Sequence, residues 1–237
     1  MIDPRTHTNE TNPKHRACSI LHQVARGRSQ VYRWLALSFY APDAELAHAL
    51  NAGRIVEDIL LATVWLGEDR KKFLTHLGKL RECASSAWSD LASDYQRLFG
   101  KSSERVPMRE SAYRWREASA LLDTANQVAL ALRQHYEQFG VAPIANHEDL
   151  LPVELEFMAF LCECESNEWK NNAAERARQL RLQERTFLDD HLGRWFPEFC
   201  RRVSDRAPHP FYTALIFLSD TWLNLEYGPG YVPARSL

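Results

Sequence analysis

Gly100-Lys101-Ser102 resembles the end of a Walker phosphate loop, whose backbone N–H groups cradle nucleotide phosphates. That loop needs a second glycine five residues earlier, where this chain has Tyr95, and the segment before it reads as helix and not strand, so the tripeptide is read as an ordinary turn. Glu45 and His48 have the Glu-x-x-His spacing that sets two metal ligands on one helical face, but a di-iron bundle needs a second such pair and two further glutamates. A solvated helix face is the expectation there. Cys162 and Cys164, two residues apart, point about 200° away from each other around a helix and suit buried small apolar positions better than one metal. His147-Glu148-Asp149 is a polar cluster in a loop where a base or ligand could sit, with helix capping by Asp149 as the plainer reading. The run from Arg176 to Arg185, interleaved with Glu175 and Glu184, reads as a solvated helix face. No catalytic triad, nucleophile elbow or dinucleotide loop is present, so neither a catalytic residue nor a metal ligand set is assigned.

The elements that would position these residues are helical. Val24, Val31, Leu35 and Phe39 form a stripe from Ser19 to Tyr40, closed by Pro42. Asp43 is placed to cap a second helix ending at Gly53, and Ile55 to Leu66 gives a third, stopped by Gly67. Asp69 to Phe99 is a longer helical stretch that Gly78 or Ser85-Ser86 could interrupt. The polar segment 100–113 with Pro107 is a hinge-like loop. A helix with Val128, Leu132, His135, Tyr136 and Phe139 follows, with Gly140 as its stop. Residues 141–150 lead to Pro152 in the first turn of a helix carrying Phe157-Met158-Ala159-Phe160-Leu161-Cys162, apolar all round and therefore central. Helices are then expected over Asn171–Leu192, Gly193–Val203 and Pro210–Tyr227. Residues 1–15 read as a flexible leader and 229–237 as a loose tail around a helical domain at 16–228.

Composition agrees. The chain of 237 residues is 45% hydrophobic and 25% charged, as globular proteins are, and its nine glycines are too few for the tight turns of an all-β fold. A net charge of −2 gives no reason to expect a nucleic-acid partner. Five cysteines without a CxxC pair suggest a reducing compartment, and no apolar run is long enough for stable membrane insertion, so a cytoplasmic location is expected. The fold class is all-α, a single helical-bundle domain of about eight to nine helices. Residues alone take the reading to a helical binding module.

Leu151 to Leu161, LPVELEFMAFL, resembles the central helix motif of the TorD/DmsD/NarJ family, cytoplasmic chaperones of molybdoenzyme maturation. Tyr32-Arg33-Trp34-Leu35-Ala36 with Phe39 and Pro42 is similar to that family's first helix. Tyr95-Gln96-Arg97-Leu98-Phe99, then Pro107, Glu110-Ser111 and Tyr113, is similar to its aromatic helix end and following loop, and Phe211-Tyr212, Leu215, Leu218 and Trp222-Leu223 to its last helix. The family's Asp-His-Leu-x-x-Glu-Leu stands here as Asp149-Leu150-Leu151-Pro152-Val153-Glu154-Leu155, so any role for an imidazole at Leu150 is lost.

The resemblance implies a TorD-like fold and a chaperone, not an enzyme and without a cofactor of its own. Such a protein binds the apo catalytic subunit of a molybdenum-cofactor oxidoreductase and its N-terminal twin-arginine signal peptide until the cofactor is inserted, and blocks premature export. Asp149 and Glu154 would meet the arginine pair, and the apolar part of the peptide would lie on Tyr32, Tyr95, Leu98 and Phe99 beside the Glu110, Ser111, Tyr113 loop and Leu150. Glu154 as a core partner of a buried arginine is the plainer alternative. A monomer or a homodimer swapped through the 100–113 loop both stay open. Two other functions remain as alternatives: a helical enzyme or nucleotide-dependent protein with a loop site at His147, Glu148 and Asp149, or a scaffold for an unrelated partner.

Overall fold

Val31, Leu35 and Phe39 fall on one side of a long helix and are buried together, and this stripe fixes the first element, α1 (Pro13–Phe39). It begins at Pro13, inside the expected leader, because proline is at ease in a first helical turn where its missing N–H has no partner to lose. The computed structural model describes residues 13–43, 48, 53–64, 70–84, 88–101, 105–114, 121–207 and 210–227. The expected helix between Asp43 and Gly53, Ser85-Ser86, and the ends 1–12 and 229–237 lie largely or wholly outside them.

Eight more helices follow among the described residues: α2 (Arg54–Ala62), α3 (Arg70–Ala84), α4 (Trp88–Phe99), α5 (Leu121–Gln138), α6 (Leu151–Lys170), α7 (Ala174–Asp190), α8 (Leu192–Ser204) and α9 (Pro210–Tyr227). The chain is all-α, with one isolated antiparallel bridge, Arg109 to Leu150. Of the two expected interruptions of the 69–99 stretch, Ser85-Ser86 lies outside the described residues, and α3 runs straight through Gly78. Gly140 ends the α5 segment with a φ of +68°, a conformation open to glycine at no steric cost.

Helix α6 is the central helix that its apolar run predicted. It lies against α1 on one side and α7 on the other, while α9 packs on α3 and α8. Phe157, Met158, Ala159, Leu161 and Cys162 are buried, and Phe160 alone of that run reaches the surface. Aromatic edges fill the core: Trp222 meets Tyr32 and Phe73 at 5.7 Å, and Phe157 meets Tyr136 at 4.7 Å and Phe187 at 4.9 Å. These offset and T-shaped contacts are the favoured ones for rings.

The described part of the 100–113 loop is held in place. Val106 is buried and donates its N–H to the Leu98 carbonyl at 2.7 Å, and Glu110–Ala112 form a 3-10 turn. The Glu110 N–H donates to the Asp149 carbonyl at 3.0 Å, and the Leu151 N–H donates to the Met108 carbonyl at 2.9 Å. Those two bonds clamp the 105–114 segment to the start of α6.

One charged cluster runs through the interior. Arg28 sits at the i+4 position from Val24 on the α1 stripe and donates to Glu165 on α6 at 2.6 Å, to Glu226 on α9 at 2.6–2.9 Å, and to Glu184 on α7. Arg181 joins Glu184 at 2.8 Å, so the arginine-rich stretch is not simply a solvated face: Arg176 and Arg178 are exposed, but Arg181 and Glu184 turn inward. Burial and the neighbouring carboxylates push the Glu184 pKa well above the usual glutamate range, against the pull of Arg28.

Candidate functional site

The segment 141–150 connects α5 to α6 and turns at Asn146, whose φ of +66° is one that asparagine tolerates. The turn points two adjacent carboxylates back into the protein. Tyr136 on α5 donates its hydroxyl to the Glu148 carbonyl at 2.8 Å, and Arg133, one helical turn earlier, donates Nε and a terminal nitrogen to Glu148 Oε1 at 2.7 and 2.6 Å. Asp149 receives Arg109 on Oδ1 at 2.6 Å and the Ser111 hydroxyl on Oδ2 at 2.5 Å. The carboxylates are buried, with 4% and 8% of their side chains exposed, whereas Arg133 and Arg109 are 48% and 41% exposed. Burial works to raise the Glu148 pKa, but hydrogen bonds from its own and Asn146 backbone and from Arg133 outweigh it and hold the acid below its usual value. Glu148 is therefore ionised at neutral pH.

Three depressions border this segment and share lining residues in sequence. The first, about 530 Å³, is apolar: Tyr40, Val141, Pro143, Ile144, Val153 and Phe160 shape it, with Leu150 among its walls and His147 and Glu156 at its polar edge. A second, about 340 Å³, shares Tyr136, Val141, Ala142 and Pro143 with the first. It shares Arg133 and Glu148 with the third, a polar depression of about 500 Å³ that also holds Arg109, Ser111 and Asp149. Ile144 is 75% exposed and Phe160 and Tyr40 are also open, a group of large apolar side chains in water beside a pair of fixed carboxylates.

A second acid cluster lies behind the first. Glu110 is fully buried, with Arg114 at 2.6 Å on one oxygen and His191 Nδ1 at 2.8 Å on the other. Glu154 is fully buried beside it and accepts the Trp195 indole N–H at 3.3 Å, while its Oε1 has no hydrogen-bond partner. Burial first, then the charge of Glu110, pushes the Glu154 pKa well above the usual glutamate range. Burial thus favours the protonated form of this acid.

The structure brings some of the expected site residues together and separates others. Asp149, Ser111 and Leu150 line the surface depressions. Glu110 and Glu154 are interior, so Asp149 and Glu154 do not face one groove, and the buried partner of Glu154 is Trp195 and not an arginine. Tyr32 and Leu98 are core residues without accessible surface for a peptide; the Tyr32 hydroxyl is directed at Glu226, 3.4 Å away. Tyr95 and Phe99 are half-buried and packed on Tyr212, and Tyr113 lies on Trp195 and donates its hydroxyl to the Pro107 carbonyl at 2.7 Å. Tyr95, Phe99 and Tyr113 fall on the α4, α8 and α9 side, where they pack on Tyr212, Phe199 and Trp195. Asp149 is no helix cap: Leu150 holds the N-cap position of α6 without a side-chain hydrogen bond.

Arg109, Arg133 and the apolar residues 141–144 were not singled out by sequence reasoning. Each is an ordinary loop or helix residue until the fold sets it beside residues 148 and 149. As for metal, Cys162, Glu184 and Glu226 have donor atoms within 4.8 Å of one another, but both carboxylates are spent on the Arg28 guanidinium, which supplies the cation itself. Cys162 is fully buried and Cys164 half-buried, as expected of small core residues. Lys101 and His48 are exposed, and Ser102 and Glu45 lie outside the described residues. No helix among the described residues is long and apolar enough to cross a membrane.

Residues 66–201 match the sequence profile of the family described as nitrate reductase delta subunit. The chain is also 27% identical over 205 residues to the perchlorate reductase assembly chaperone protein of Dechloromonas aromatica (strain RCB), covering 83% of this chain and 87% of that one. Over 43 residues it is 42% identical to the chaperone protein TorD of Shewanella loihica (strain ATCC BAA-1088 / PV-4), 18% of this chain and 20% of that one. No solved structure matches.

Proposed function

This chain belongs to the nitrate reductase delta subunit family, and from that premise we propose that it is a cytoplasmic chaperone that binds the apo catalytic subunit of a molybdenum-cofactor oxidoreductase together with its twin-arginine signal peptide. It is a redox-enzyme maturation chaperone and not a catalyst. Its work is differential binding: tight for the unassembled subunit, weak once the cofactor is in and the client has folded. Holding the signal peptide at the same time blocks premature export.

The observation that carries the finer reading is the pairing of Glu148 and Asp149, buried and fixed at one end of a row of depressions whose other end is apolar. A signal peptide of this class presents two guanidinium groups and then an apolar stretch, and the row offers carboxylates and then Val141, Ile144, Val153 and Phe160. Of the residues expected to hold the apolar stretch, Tyr32 and Leu98 are core and Tyr95 and Phe99 are half-buried on another side; the residues proposed for that role are those around 141–160. Leu150, where the family has histidine, adds apolar wall to the same depression. The alternative of a loop enzyme draws no support from the family or from the relative named as an assembly chaperone.

Calorimetric titration of the purified protein with a synthetic peptide bearing an Arg-Arg pair ahead of an apolar stretch tests this. Binding is expected, with an about ten-fold loss when Asp149 becomes asparagine, the scale of one charge-assisted contact, and a larger loss when both arginines become glutamine. Co-purification from the native cell followed by mass spectrometry is expected to recover a molybdoenzyme catalytic subunit in precursor form. Recovery only of partners without redox cofactors overturns the reading.

A further inference from the structure

The two carboxylates of the 148–149 pair are not empty acceptors. Each is already matched with a guanidinium group of the chain itself, Arg133 on Glu148 and Arg109 on Asp149, at 2.6 Å. We propose that Arg109 and Arg133 are internal competitors that occupy the places of a client's arginine pair, so that a cationic segment binds by exchange and is released by their return. The proposal rests on the peptide-binding reading above and adds to it how that site is kept weak.

The two ends of each pair are built differently. Each acid has a second support that does not depend on its arginine: Asp149 Oδ2 accepts the Ser111 hydroxyl at 2.5 Å, and the Glu148 backbone carbonyl accepts the Tyr136 hydroxyl at 2.8 Å. Each acid therefore keeps its orientation when its guanidinium leaves. The arginines, by contrast, are nearly half exposed, and water can take up their charge once they are displaced. An exchange of one guanidinium for another leaves no buried charge unpaired, which is the condition that makes breaking such a pair costly.

The self-contacts are also well positioned to compete. Arg109 is paired with Leu150 in the isolated bridge, clamped beside Asp149 by the Glu110 and Leu151 backbone bonds. Arg133 rides on α5, whose Tyr136 is bonded to the Glu148 carbonyl. Short tethers of this kind give a ligand an effective concentration on the order of millimolar, so an incoming peptide is opposed from the start. After exchange, two displaced arginines stand next to two bound ones around two carboxylates, and their repulsion favours release. A chaperone that must let its client go gains from such an opposition.

The variants R109A and R133A and their double test this, with R109Q/R133Q as the version that keeps an amide donor at each carboxylate in case the alanine double fails to fold. In calorimetry with the Arg-Arg peptide, the double variant is expected to bind at least about ten-fold more tightly than the unaltered protein, with slower dissociation. Millimolar methylguanidinium is expected to raise the melting temperature of the double variant and leave the unaltered protein unmoved, while tetramethylammonium chloride at the same concentration moves neither protein. If the unaltered protein binds the peptide and the variants bind it equally or more weakly without methylguanidinium rescue, the exchange is wrong and the peptide site stands. If no version binds the peptide, the site itself is wrong and the exchange falls with it.

Discussion

Replacing Arg28 with methionine removes a side chain that joins four helices through charge. Its guanidinium contacts Glu165, Glu184 and Glu226, whose side chains are 8%, 0% and 2% exposed, so the carboxylates have no access to water when it is gone. Arg181, 42% exposed, remains 2.8 Å from Glu184 and 3.4 Å from Glu226 and compensates only in part. Removing one partner of a buried ionic group costs about 3–5 kcal/mol because the charge left behind is uncompensated. For a domain of this size, each kcal/mol moves the midpoint by about 2–4 °C, so the expected fall is about 6–20 °C. Thermal unfolding followed by circular dichroism at pH 7 and pH 5 reads it. The sign of the pH effect follows from Glu184, whose folded pKa is already raised by burial and loses the downward pull of Arg28: the variant is most stable below the ordinary glutamate pKa and loses stability as pH rises through the raised folded value. The deficit against the unaltered protein is therefore smaller at pH 5 than at pH 7. Arg28→Lys, which keeps the charge but not the five-donor fork, falls between. A midpoint for Arg28→Met within about 1 °C of the unaltered protein, or a deficit that grows on acidification, refutes the reasoning.

Glu154, buried beside Glu110 with its pKa raised, makes the folded protein lose stability as pH rises from the ordinary glutamate pKa toward its own raised value, so Glu154→Gln is expected to flatten the upper part of the pH–stability curve without lowering the midpoint at pH 7; a drop there means that the carboxylate charge was needed. Ile144→Asp changes a side chain that is 75% exposed and is expected to leave stability within about 0.5 kcal/mol while weakening the Arg-Arg peptide several-fold in titration; unchanged affinity removes the apolar depression from the binding surface. A methyl group at Gly27 would run into the Ala62 backbone carbonyl, so Gly27→Ala is expected to force α1 and α2 apart at a cost of about 1–3 kcal/mol, read by denaturant unfolding.

Helix content and order were legible because periodicity is a local property: the stripes at Val31, Leu35 and Phe39 and at Phe211, Leu215, Leu218 and Trp222 each state which face of their own helix is buried. The apolar run 157–162 went further and placed α6 at the centre, since a helix with apolar residues all round has no other stable position. A sequence-level trace of the interior charge also existed. Arg28 interrupts an apolar stripe at a core-facing position, and Glu226 does the same four residues after Trp222, although only their joint presence in space makes either one tolerable.

The sequence by itself determined the all-α class, the central helix and the stop at Gly140. Tertiary structure decided which polar residues face outward. Asp149 and Glu154 stand five positions apart, yet one lines a surface depression and the other is sealed against Trp195, because the clamp between residues 108–110 and 149–151 sets the entry of α6 and thereby the side to which each residue turns. Tyr32, Leu98 and Ile144 make the same point from the apolar side. Hydrophobicity says that a side chain gains by leaving water, but whether it finds a neighbour to cover it depends on helices that are distant in sequence. Those helices cover Tyr32 and Leu98 and leave Ile144 exposed.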